Sequence, residues 1–163
     1  MDFDKVIEEW CMKYKPILHV PGERSTNKRF FLVENIVNVP QLAANTNMQR
    51  SPCVAFEFHQ EGEVEDSLIT KAYTISILVK ASEIFMSKER ANEAVKEAFG
   101  HVKKLIAWLK MKRDTEKSLR HLDLERIHYD TLGPLVNGWY AVFFTLTDVN
   151  CECVEVNPAD YIE

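Results

Sequence analysis

The chain has 163 residues, 46% hydrophobic and 28% charged, with a formal net charge of −5. That size suits one domain spanning 1–163, able to bury roughly 70% of its unfolded surface without help from a metal or disulfide. The acidic balance argues against general affinity for phosphate backbones, though it allows a local basic patch. No basic segment leads into an apolar run at the N-terminus, and no apolar stretch approaches the ~18 residues that span a bilayer. The cytoplasm is therefore the expected compartment, with no membrane partner.

Phe3, Val6, Ile7, Trp10, Cys11 and Tyr14 recur at helical spacing, with Asp2 as N-cap and Pro16 as the stop. Pro21 and Gly22 mark the following segment, Ile17 to Asn27, as a loop. Arg29 to Val37 is rich in β-formers and predicts a strand. The connection from Asn38 to Pro52 carries two prolines, three asparagines and two glutamines. Its length makes it a candidate partner-binding loop.

Cys53 to Phe58 alternates, with Val54, Phe56 and Phe58 on one face. An acidic stretch from His59 to Ser67 follows, centred on Gly62. From Leu68 to Lys80 alternation resumes, with Ile69, Tyr73, Ile75, Ile77 and Val79 on one face and Thr70, Thr74 and Ser76 on the other. The two runs predict an antiparallel hairpin with an acidic tip and one wet face.

Ser87 caps a long predicted helix to Lys110 whose stripe runs Ala91, Ala94, Val95, Ala98, Val102, Leu105, Ile106 and Leu109. Gly100 interrupts it at a cost of about 1 kcal/mol. The chain then reads as a charged loop through Ser118. A last hairpin joins Leu124–Asp130 to Trp139–Val149 through a turn bearing Gly133, Pro134 and Asn137. The tail from Asn150 onward allows a short edge strand. Strands and helices do not alternate as βαβ units, so the expected class is α+β. A mostly antiparallel sheet is packed by one long helix, with a short N-terminal helix beside it.

The chemistry-bearing motifs of common enzymes are missing. Gly22, Gly62, Gly100, Gly133 and Gly138 form neither G-x-G-x-x-G nor a P-loop, and no serine sits in G-x-S-x-G. His59-Gln60-Glu61 matches half of a zinc-deaminase signature, but no C-x-x-C follows it. Cys151-Glu152-Cys153 with His121 or His128 has no recognised zinc spacing. Cys11, Cys53, Cys151 and Cys153 read as free thiols in a reducing compartment. His101, on the polar margin of the long helix, reads as a satisfied or solvated side chain. Trp10, Trp108 and Trp139 read as core or interface anchors. No catalytic residue, cofactor or metal is expected.

Charge is unevenly spread. Lys103, Lys104, Lys110, Lys112, Arg113, Lys117 and Arg120 crowd the end and exit of the long helix, where cations complement its dipole. The acidic segment carries Glu61, Glu63 and Glu65. Opposite charges at two places on one chain make Glu61, Glu63, Glu65, Lys110, Lys112 and Arg113 candidate contacts between copies.

The element order and the segment Gly138-Trp139-Tyr140-Ala141-Val142-Phe143-Phe144 resemble phage tail-terminator and tail-completion proteins. Those proteins have an N-terminal helix, strands around a Pro-led segment like Ser51-Pro52-Cys53-Val54-Ala55-Phe56, a long hairpin strand, a central helix and a final hairpin. The resemblance implies a homo-oligomeric ring that caps a tail tube and meets other tail or neck proteins. It also implies a phage or prophage structural subunit, cytoplasmic during assembly and then part of the virion. A small non-enzymatic binding module, such as an immunity or adaptor protein, is the alternative.

Overall fold

A computed structural model gives the fold and describes residues 2–22, 25, 27–34, 50–58, 61–65, 68–81 and 87–150. Its strands are β1 (Phe30–Val33), β2 (Cys53–Glu57), β3 (Glu61–Glu65), β4 (Leu68–Lys80), β5 (Leu122–Leu132) and β6 (Trp139–Asn150). Its helices are α1 (Phe3–Lys13) and α2 (Lys88–Thr115). All six strands share one sheet in the order β1-β2-β4-β6-β5, with β3 also bonded to β4. Every pairing is antiparallel except β1 with β2. The class is α+β, with the long helix packed on a mostly antiparallel sheet.

The central pair is β4 and β6, registered without a break from Ile69↔Asn150 to Lys80↔Trp139. Because β6 occupies one whole edge of β4, β2 and β3 share the other. β2 lies against Ile75–Leu78 and β3 against Leu68–Ala72. The acidic segment expected as a hairpin tip is therefore largely strand. Its backbone finds a ladder partner in β4, while Glu63 stays solvated at the edge. Charged edge strands of this kind also resist uncontrolled pairing.

Alternation along the strands sorts the sheet into two faces. The helix-side face carries Val54, Phe56, Tyr73, Ile75, Ile77, Val79, Val142, Phe144 and Leu146, all buried. α1 covers it with Phe3, Ile7, Trp10 and Cys11, one helical stripe. α2 covers it with Ala94, Ala98, Val102, Leu105 and Leu109. The two alanines bring the helix close, and the larger residues beyond them fill the sheet's twist. A second buried cluster lies on the opposite face, formed by Phe31, Val33, Cys53, Ala55, Leu78, Trp139 and Ala141.

Several boundaries differ from the sequence reading. α2 runs to Thr115 rather than Lys110, because Lys112 and Arg113 in its last turn favour the dipole and Thr115 Oγ1 donates to the Lys112 carbonyl at 2.9 Å. Ser87 caps its start as expected, accepting from the Arg90 N–H at 3.3 Å. Asp2 makes no side-chain cap; it pairs with Lys5 at 2.6 Å instead. β1 ends at Val33, and 35–37 of the expected strand lie outside the described residues, as do most of the Asn38–Pro52 connection and the tail from 151. The β5–β6 turn needs Gly133 at φ +146°, where a Cβ would meet the Tyr140 ring at 2.6 Å.

Leu105→Ala removes a fully buried side chain from the α2–sheet contact. It is expected to cost about 2–5 kcal/mol. Urea unfolding checks this as a lower midpoint with an unchanged m-value.

Candidate functional site

Most buried titratable groups in the described chain hold the fold together. His19 sits in the loop after α1 and is 4% exposed. Its Nδ1 accepts from the N–H groups of Arg29 at 2.9 Å and Phe30 at 3.2 Å. That requires a lone pair on Nδ1, so the proton lies on Nε2, which donates to Glu8 at 3.2 Å. One imidazole thus ties α1, the loop and β1 together. Burial lowers its pKa below the ordinary value, with Glu8 opposing.

Tyr14 Oη lies 2.9 Å from His101 Nδ1. Burial raises the Tyr14 pKa, so the phenol keeps its proton, and which of the two groups donates depends on the His101 tautomer. His101 Nε2 then faces Glu97 at 3.7 Å, beyond hydrogen-bond reach. Burial lowers the His101 pKa and Glu97 opposes the shift. This tyrosine–histidine–carboxylate row is a clasp between α1 and α2. Cys11 and Cys53 are free and buried, with burial raising both thiol pKa values. Among the described residues, no group of three or more His, Cys, Asp or Glu side chains could hold a metal ion. Cys151 and Cys153 lie outside the described residues, while His121 and His128 are exposed.

Lys110, Lys112 and Arg113, the candidate contact cations at the end of α2, have carboxylate partners within the chain. Lys110 pairs with Glu125 at 3.1 Å, and Arg113 Nη2 lies 3.8 Å from the same carboxylate. Lys112 pairs with Glu9 and, at 2.8 Å, with Glu116, while lying 5.0 Å from the centroid of the half-buried Trp108 ring. Its pKa is raised: burial pulls it down, and the two carboxylates outweigh that. Lys112 therefore clamps α1 to α2. Of the three candidate carboxylates, Glu63 is exposed on β3, opposite Thr70; Glu61 and Glu65 occupy register positions opposite Ala72 and Leu68.

A groove of about 390 Å³ opens between α2 and β5, lined by Phe99, Val102, Lys103, Ile106, Ala107, Lys110, Ile127 and Tyr129. Tyr129 is 56% exposed and packs on Phe99 with ring centroids 4.7 Å apart. Lys103 lies 4.9 Å from the centroid of the Phe99 ring. β5 is the last strand of the sheet, so one wall of the groove is also an open edge. Its pairing with β6 shifts register between Asp123 and His128. Exposed apolar side chains also occur elsewhere, among them Val64 at 65% and Phe58 at 52% towards the other edge.

The helix stripe was read through Leu109 with Ile106 on it, but Phe99 and the groove were not. The available signal was Phe99 and Ile106 seven residues apart beside the stripe, with Lys96, Lys103 and Lys110 at the same interval. Nothing in the sequence marked His19.

His19 makes stability fall in acid. Its folded pKa lies below the unfolded value of 6.5. As pH drops through that unfolded value, the unfolded chain takes up a proton that the native ring refuses, and stability declines until the folded pKa is reached. His19→Ala should flatten that part of the stability–pH profile. It should also cost about 1–3 kcal/mol at neutral pH, because a buried backbone donor loses its acceptor. Lys112→Ala should cost a similar amount, about 1.5–3 kcal/mol, by leaving Glu9 and Glu116 without their shared cation. Denaturant titration at a series of pH values checks all three outcomes.

No protein-family model matches the chain, and searches of curated proteins and of solved structures gave no match.

Proposed function

We propose that the protein is a structural assembly subunit resembling phage tail-terminator and tail-completion proteins, one copy of a ring that caps a tail tube. The observation that carries this reading is the placement of exposed apolar surface. Besides scattered single side chains such as Leu18, Leu32 and Met111, it includes two unlike places on opposite sides of the β4–β6 pair, the α2–β5 groove and the Val64 edge of β3. Two different surfaces that fit each other make a heterologous contact, and a heterologous contact closes into a ring when its rotation permits. The resemblance in element order supports the same reading.

A small binding module is the second reading, and the groove is what favours it. A cleft with an aromatic wall and lysines at its rim suits an amphipathic segment of another protein.

Self-association separates the two. A tail-terminator subunit should sediment as a closed oligomer at high protein concentration, and negative-stain images should show rings of one size. A monomer at every concentration and salt condition would remove the ring-forming reading and leave the binding module.

A further inference from the structure

The groove between α2 and β5 has a partly exposed apolar lining with Lys103 at its rim, and Lys96 lies one heptad earlier on the same helix. Lys96 and Lys103, seven residues apart on α2, are exposed, and neither pairs with a carboxylate among the described residues. Lys110, the next in the row, is already held by Glu125. At the opposite edge of the same sheet, β3 reads Glu-Gly-Glu-Val-Glu and contains no base. Val64 pairs across the ladder with Ile69 and stands largely in solvent. Ile69 shares its face with Tyr73 and Ile75, the helix-covered side of the sheet. Tyr129, which is opposite Phe144, belongs to the same side.

We propose that the groove receives β3 of a second copy, with Val64 seated between α2 and β5 of its neighbour. This rests on the assembly reading and deepens it by assigning the two surfaces. Charge decides the pairing. β3 against β3 would set two acidic strands side by side, and the irregular register of β5 guards its own edge against a flat symmetric pairing. The unlike pairing brings the acidic strand to the lysine row. Glu63, next to Val64 in the strand, points to the opposite face. Its attraction to Lys103 therefore acts over several ångströms, a range that salt screens with a length of about 8–10 Å at physiological strength.

The test uses two variants of the full chain. Lys103→Glu with Tyr129→Ser spoils the groove and leaves β3 intact. Glu63→Lys with Val64→Ser spoils β3 and leaves the groove intact. All four positions are exposed, and thermal unfolding confirms that each variant is folded. By analytical ultracentrifugation, each variant alone should be monomeric where the wild type is assembled. An equimolar mixture has one good groove and one good β3 per pair, so it should form a 1:1 dimer that stops there. Should either variant fold poorly, Lys103→Ala and Glu63→Gln replace them, each expected to weaken self-association about 3–10-fold, with the loss largest at low salt. If both variants assemble like the wild type, or if the mixture stays monomeric, the contact is wrong while the assembly reading stands. A monomeric wild type overturns both and leaves the groove to a different protein.

Discussion

The structure depends on burying the α2 stripe against the β4–β6 ribbon. Those two strands pair over nearly their whole lengths and present Ile75, Ile77, Val142 and Phe144 to the helix. Ala94 and Ala98 let the helix approach, and Val102, Leu105 and Leu109 seal the contact. Apolar burial of about 25 cal/mol per Å² makes this the largest favourable contribution available to the chain. Everything else is organised around it. α1 fills the part of the sheet that α2 leaves open, and β1, β2 and β5 extend the sheet outward.

Polar interactions then decide how the peripheral pieces sit on that frame. α1 is held by three dissimilar attachments: His19 through Glu8, Tyr14 through His101, and Lys112 through Glu9. The last two run in reverse order along the helices, so α1 and α2 lie in opposite senses. Each attachment is partly buried, where a hydrogen bond is worth more than in water and an unmade one costs more. The cations at the end of α2 consequently serve the monomer first. The groove-lining residues Phe99 and Lys103 lie earlier on the helix, away from these attachments.

The groove lies where α2 meets the last strand of the sheet. α2 packs on β4, β6 and, less extensively, β5, whose ladder with β6 shifts register between Asp123 and His128. Phe99 and Tyr129 bridge part of the gap without closing it. An apolar cleft beside an open sheet edge is the kind of surface that binding sites use. It is the physical basis for reading the molecule as one part of an assembly.

Local sequence determined the elements themselves. Period-two alternation from Leu68 to Lys80 and the 3.6-residue stripe from Ala91 to Leu109 follow from which side chains must leave water, and that requirement is written residue by residue. Ser87 as a cap and Gly133 in the last turn are equally local demands of the backbone. The tertiary structure alone decided which elements became neighbours. β1 lies parallel to β2, the acidic stretch became β3 through its pairing with β4, and α2 gained a last turn whose Lys112 meets Glu9, more than a hundred positions earlier. His19, an unmarked histidine in a loop, acquired its role only when two backbone N–H groups turned toward it. The groove is of the same kind: Phe99 and Tyr129 lie thirty positions apart, and no local pattern records that folding leaves a space between them. A periodicity reports the face a residue turns to the core, but not which surface is left uncovered once the core is full.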